Sequence, residues 1–232
     1  MRPTSTTLFA LLTLILAAAP ARAQRITSPY RYIDERQSVQ LFGGHVTTKQ
    51  PFTELGPSSG AFAGGRYAIR MNGPLEIEAQ LAYFPTTRTV RDTTFTVHGA
   101  DSTFTPIGSA KQRLMVATAG LRFDLTGPRT WHGLQPFVAA GGGVAVGVNG
   151  ANDADQQVPA DLRFRFGTSF AASVGGGLEW YITRNVGLRG DARAFLWKIK
   201  TPQAFAVTDA RVPANGDWTQ NLSLTAGLAV HF

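Results

Sequence analysis

The feature that most restricts the fold is an alternation of apolar and polar residues, with a period of two, that recurs along nearly the whole chain. In the closing segment Leu222, Leu224, Ala226, Leu228, Val230 and Phe232 alternate with Asn221, Ser223, Thr225, Gly227, Ala229 and His231. Successive side chains of a β-strand point to opposite faces, so this run describes a strand with one apolar face. Leu75, Ile77, Ala79, Leu81 and Tyr83 alternate in the same way with Glu76, Glu78, Gln80, Ala82 and Phe84. The pattern returns at Met115–Asp124, where Arg122 and Asp124 are polar-face residues, at Phe170–Trp180, with Glu179, and at Leu188–Leu196, with Arg189, Asp191 and Arg193.

Three further segments, near residues 37–46, 59–70 and 135–148, complete a set of eight expected strands. Their glycines, among them Gly43, Gly44, Gly64, Gly65 and Gly141 to Gly143, blur the alternation and leave the facing of Phe42 and His45 open. Glycine inside strands marks bulges or sharp coiling. No helical period is read after the N-terminal region.

The connections fall into two classes. Short turns follow the second, fourth and sixth strands, at residues 71–73, 126–134 and 183–185. Long loops follow the first, third, fifth and seventh, at residues 47–58, 86–110, 149–167 and 201–217. Short turns on one rim and long loops on the other are the layout of an outer-membrane barrel. An open sheet edge in lipid would leave backbone groups unsatisfied, so eight such strands must close. Two aromatic bands are expected where the barrel meets the two interfaces. One comprises Tyr67, Phe123, Trp180 and Phe232 near the short turns, the other Tyr83, Phe170, Trp197 and Trp218 near the long loops. Alternation alone also fits a soluble lipocalin-like barrel or sandwich with its apolar face inward.

The N-terminus bears on compartment. Arg2, an apolar run from Leu8 to Ala19 and the small-residue site Ala21-Arg22-Ala23 form the three-part pattern of a secretory signal peptide. The run is too short for a helical span, which needs about 20 residues. The chain therefore divides into a signal peptide (1–23), an N-terminal segment (24–36) and a barrel (37–232).

These motifs resemble the small eight-stranded outer-membrane barrels of the OmpA-like and OmpX-like type. The resemblance rests on Gln135-Pro136-Phe137-Val138-Ala139-Ala140-Gly141-Gly142-Gly143, on Gly175-Gly176-Gly177-Leu178-Glu179-Trp180 with Thr183-Arg184-Asn185, and on Leu188-Arg189-Gly190-Asp191-Ala192-Arg193. It implies an all-β, antiparallel, up-and-down transmembrane barrel in the bacterial outer membrane. Leu228-Ala229-Val230-His231-Phe232 is similar to the C-terminal signal that such barrels present to the assembly machinery, with Phe232 as its terminal aromatic residue. The chain stops at the last strand, where longer relatives carry a periplasmic peptidoglycan-binding domain.

A net charge of +7 and a pI near 10.2 raise nucleic acid as a partner. The charges, once placed, argue against it. The long loops are nearly neutral, and the surplus Arg falls on the N-terminal segment, the short-turn rim (Arg66, Arg70, Arg129, Arg184) and the polar face, with no basic stripe carrying stacking aromatics. Glu76, Glu78, Arg122, Asp124, Glu179, Arg189, Asp191 and Arg193 would face the interior of an eight-stranded barrel, which side chains fill. There they must pair as an ion network plugging the lumen, because isolated buried charges are costly.

The expected role is structural or in surface interaction, by a monomer contacting outer-membrane lipid and lipopolysaccharide. The loop at 86–110, rich in Thr, Phe and Val around His98-Gly99-Ala100-Asp101, reads as a hairpin able to pair with an extracellular protein. The alternatives are a narrow passive channel or small-solute binder, and a lipid A-modifying enzyme using His98, Asp101 and Ser102, with His45 near the same rim. A nucleophile needs its base within hydrogen-bond reach, and a polar hairpin tip has the same composition. No catalytic residue, metal or cofactor is expected, and the absence of Cys excludes thiolate chemistry.

Overall fold

The computed structural model describes residues 28–98, 101–149, 153–213 and 216–232. The signal-peptide reading at 1–23, residues 24–27 and the tip residues Gly99 and Ala100 lie outside them. Among the described residues there are ten strands: β1 (Tyr30–Tyr32), β2 (Gln37–Thr48), β3 (Gly60–Arg70), β4 (Leu75–His98), β5 (Asp101–Asp124), β6 (Arg129–Trp131), β7 (Leu134–Gly147), β8 (Thr168–Tyr181), β9 (Val186–Ile199) and β10 (Asp217–His231). Two short helices, α1 (Asp153–Gln156) and α2 (Gln203–Thr208), lie in the third and fourth long loops, where no helical period was expected. With 4 and 6 residues they are too short to carry an amphipathic repeat.

All strand neighbours are antiparallel. The ladder runs β7-β5-β4-β3-β2-β10-β9-β8, and pairing of β7 with β8 closes it into an eight-stranded barrel. The first and last barrel strands meet along a seam whose end is sealed by Gln37 N–H donating to the Phe232 carbonyl at 3.0 Å and Phe232 N–H donating to Gln37 at 2.9 Å. Outside the ring, β1 pairs with β6, tying the N-terminal segment to the turn between β5 and β7.

The apolar face points outward. Leu41, Leu81, Leu121, Val174, Leu222 and Leu224 are all exposed, whereas Glu76, Glu78, Arg122 and Glu179 are buried inside. This is the inverse of a soluble barrel, so the lipocalin-like alternative does not describe the chain. The aromatic bands form with one exception. Tyr67, Phe123, Trp180 and Phe232 are exposed near the short turns, and Tyr83, Phe170 and Trp218 near the loops. Trp197 instead points inward, 2% exposed, because it shares the odd-numbered face of β9 with Arg189, Asp191 and Arg193.

The facing left open by the glycines is resolved. Phe42 is buried in the lumen and His45 is on the outer face. Arg66 and Arg70 are also inside, not on the rim, since they alternate with the exposed Tyr67 and Ile69. Glycines sit where neighbouring backbones crowd. A Cβ at Gly143 of β7 would fall on the Ala117 carbonyl oxygen of β5, whereas one at Gly43 has only the Phe62 carbonyl at 4.0 Å. Gly143→Ala is expected to cost about 1–3 kcal/mol by overpacking, read as a lowered urea midpoint, with Gly43→Ala near neutral. Equal midpoints for the two would reject the close-approach argument.

The second long connection is not a loose loop. β4 and β5 stay paired from Leu75↔Phe123 out to His98↔Asp101, interrupted by irregular register between Val90 and Phe95. Thr, Val and Phe suit strands, and here they extend the ladder beyond the barrel wall.

Candidate functional site

The interior has two chemically different halves, and the order is written along single strands. Going up β4 from the short-turn rim, the inward side chains are Glu76, Glu78, Gln80, Ala82 and Phe84; going up β9 they are Arg189, Asp191, Arg193, Phe195, Trp197 and Ile199. Charge therefore occupies the half near the short turns and apolar surface the half near the loops. A lumen filled by polar side chains throughout was expected from the polar face alone. The outer half is apolar because aromatic residues take inward positions as the strands leave the turn rim.

In the charged half, Arg122 is the hub of a lower group. Its guanidinium lies 2.7 Å from Glu179, 2.7 Å from Asp124 and 3.5 Å from Glu76. Arg70 reaches Glu76 at 2.6 Å and Asp124 at 3.6 Å. Gln135 donates to Asp124 at 2.9 Å and accepts from the Tyr181 hydroxyl at 3.0 Å. His231 Nε2 stands 2.9 Å from Glu179, its ring tilted against Tyr181.

The upper group is centred on Asp191 and Glu78. Asp191 meets Arg66 at 2.5 Å, Arg193 at 3.1 Å and Arg189 at 3.5 Å. Glu78 meets Arg193 at 2.6 Å, Arg189 at 2.7 Å and Arg66 at 3.9 Å. Phe137 joins the groups, with Arg122 and Arg189 each stacked on its ring at 4.2 Å. Cations over an aromatic face gain attraction that strengthens when water is excluded.

The structure thus brings together all eight charged residues read from the sequence, and adds Arg66, Arg70 and His231. Among the described residues Arg66, Arg70, Arg122, Arg189 and Arg193 match Glu76, Glu78, Asp124, Glu179 and Asp191 one for one, and His231 joins them through Glu179. The signal for Arg66 and Arg70 was the alternation Arg66-Tyr67-Ala68-Ile69-Arg70, masked by the preceding Gly64-Gly65.

Above the charges, Phe42, Phe62, Phe84, Val116, Phe195 and Trp197 form an apolar plug with edge-on aromatic contacts, Phe42 to Phe62 at 5.8 Å and Phe62 to Phe84 at 6.5 Å between ring centres. The void bounded by Phe62, Phe84, Val116, Phe195 and Trp197 is about 10 Å³, close to the least that admits one water. The long loops continue this core outward. Phe104 of the hairpin is fully buried against Phe205 of α2 at 5.0 Å and Phe52 at 5.9 Å.

Charge balance in the loops operates between loops. Arg91 of the hairpin pairs with Glu54 of the first loop, and Arg88 with Asp155 of α1. In the fourth loop Arg211 hydrogen-bonds Asp209 at 2.7 Å, holding that carboxyl below its usual range. His98, Asp101 and Ser102 stand at the hairpin end, paired as His98↔Asp101 and Val97↔Ser102. His45, on β2, pairs with Leu224 and Ala61 in the barrel wall, so the ladder does not bring it to that tip.

Among known proteins, no family model and no curated sequence matches. Solved structures do. The outer membrane protein OprG from Pseudomonas aeruginosa superposes with a TM-score of 0.52 at 13% identity, over 85% of this chain and 97% of that one. Neisserial surface protein A gives 0.49 at 18% identity, over 84% and 97%. Outer Membrane Protein W of E. coli gives 0.46 at 12%, over 85% and 98%. A closed ring of eight antiparallel strands with an outward apolar belt between aromatic bands satisfies every backbone group within lipid. The chain accordingly has the fold of the small eight-stranded β-barrels of the bacterial outer membrane.

Proposed function

We propose that this protein is a monomeric outer-membrane barrel, closed to solutes, that supports the envelope and meets extracellular partners through its loop cap. It is read as non-catalytic, and residues 1–23 as its export signal. The observation that carries the closed reading is the filled interior, where five Arg answer five carboxylates beneath an aromatic plug with a void of about 10 Å³. A barrel of eight strands has room for side chains only, and water-filled channels use many more. Lipid and lipopolysaccharide fit against the outward belt, and the exposed Phe232 is the residue offered to the assembly machinery.

Planar bilayers containing the refolded barrel are expected to show no steady conductance steps. Reproducible ohmic steps at neutral pH would favour the narrow-channel alternative instead.

The partner surface is assigned to the outer end of the β4–β5 hairpin, which runs past the last β3 and β7 partners at Tyr83 and Leu114 and past the loop contacts at Thr87 and Arg113. A hairpin that extends beyond a barrel can take up a strand from another chain along its edge. Deleting residues 94–103 retains Arg91 and Phe104, which anchor the cap, and is expected to abolish cell-surface partner binding while heat-modifiable gel migration persists. Binding undiminished in a correctly assembled deletion would reject this surface.

A further inference from the structure

Between the top of β5, the end of β7 and the third loop lies a cavity of about 300 Å³ that the closed-barrel reading does not use. It sits at the outer mouth of the barrel, over Phe166, which packs edge-on against Trp197 of the apolar plug at 6.3 Å. Its volume is at the lower end of small-molecule sites, which run from about 300 to 1,000 Å³. That is room for about ten waters at the liquid volume of roughly 30 Å³ each, or for one sugar ring with an acid group.

The lining is cationic. Arg88, Arg163 and Arg165 face the space with Asp155 as the acid among them, and Asp155 is already taken by Arg88. Arg163 donates its Nε to the Val158 carbonyl at 3.1 Å, which fixes the side chain and leaves its terminal nitrogens for another acceptor. Arg165 makes no hydrogen bond or ion pair among the described residues and is exposed at the entrance. A guanidinium held in place offers two parallel donors that match a carboxylate or a phosphate.

A second observation is independent of charge. Gln112 points inward from β5, is 3% exposed and lines this cavity, yet its amide makes no hydrogen bond among the described residues. The amide opens onto the cavity, where a ligand hydroxyl can accept from its NH2 group and donate to its carbonyl oxygen. Space beside it is kept open by Gly147, where a Cβ would stand 3.4 Å from the Gln112 amide nitrogen and 3.1 Å from Phe166. Phe166 offers an apolar wall of the kind against which the C–H face of a sugar ring packs.

We propose that this cavity is a binding site for a small anionic sugar, with its acid group held by Arg163 and Arg165 and its hydroxyls by Gln112. The proposal does not depend on whether the barrel conducts, since the site lies above the plug.

The test is calorimetric titration of the full mature chain, refolded in a polyoxyethylene detergent at low salt, with glucuronate, glucose 6-phosphate and glucose as probes. At least one of the two acids should bind saturably, and glucose at least tenfold more weakly, because a charge-assisted pair lost from a desolvated site costs about a factor of ten or more. Arg165→Gln and Gln112→Leu should each weaken the acid by a similar factor, with heat-modifiable migration confirming that both variants fold. The carboxylate and phosphate arms tell which acid group the site prefers. The proposal is overturned if neither acid saturates, if glucose binds as well as the acids, or if either folded variant binds within twofold of the unaltered protein.

Discussion

Arg122→Leu is expected to lower the stability of the folded barrel by about 3–5 kcal/mol, the range for removing one partner from a buried ion pair. Arg122 is 1% exposed and stands against Glu179, Asp124 and Glu76. Its loss leaves three buried carboxylates with Arg70 as the nearest cation of that group, and Arg70 touches Glu76 and Asp124 alone among them. It also removes one of the two guanidiniums stacked on Phe137. The measurement is the urea midpoint of the refolded barrel in vesicles, followed by heat-modifiable migration. Arg122→Leu combined with Glu179→Gln should recover part of the loss, because the second change removes the charge that the first left unpaired. Contacting residues typically couple by about 0.5–3 kcal/mol in such a cycle. A single-variant loss below about 1 kcal/mol would mean that water solvates these carboxylates as an exposed pair is solvated, and the dry network would be abandoned.

Trp197→Ala is expected to cost about 3–5 kcal/mol, as for other large aromatic side chains removed from a core. Trp197 is the largest of the fully buried side chains and packs against Phe166 and Phe195. Neighbouring groups cannot collapse into its place, since they are fixed to a closed ladder of backbone hydrogen bonds. The same variant separates the two halves of the interior. The barrel should become less stable, yet stay closed to ions, because the Arg66, Arg193 and Glu78 contacts lie beneath the removed ring. An unchanged urea midpoint would show that the apolar plug has no cohesive role, and the appearance of conductance would show that the plug, rather than the ion groups, blocks the path.

How much of this was legible in the sequence differs from strand to strand. In the inner parts of β4 and β5, near residues 75–84 and 115–124, and in β8, β9 and β10 the side chains alternate, so these strands and the eight interior charges follow from a period of two, whereas the outer parts of β4 and β5 read as a long loop. Where Gly64 and Gly65 interrupt β3, the period loses its phase, and the sequence alone places Arg66 and Arg70 on the rim although they complete the ion network. Its height along the strand makes Trp197 an interfacial aromatic, but facing is set by parity with Arg193, which places it inside. The division of the lumen was present in the order Glu76, Glu78, Gln80, Ala82, Phe84. It acquires meaning only when neighbouring strands put Phe42, Phe62 and Phe195 at the same level. The cap was least legible, because Phe104 to Phe205 and Arg91 to Glu54 join loops far apart in sequence, and no local pattern encodes such meetings.

The seam between β2 and β10 has a kinetic consequence. Leu41 faces Leu228 and Gln37 bonds to Phe232, so the ring closes by joining segments separated by nearly the whole length of the barrel. Contacts of such long sequence separation carry a high loop-closure entropy and slow the search for the native state. Until the last strand arrives, β2 offers an open edge with Val39 and Leu41 outward, the kind of surface that invites aggregation in water. Closure is therefore expected to be the slow step of assembly, and shielding β2 and β10 from other chains in that interval is expected to raise the yield of folded barrel.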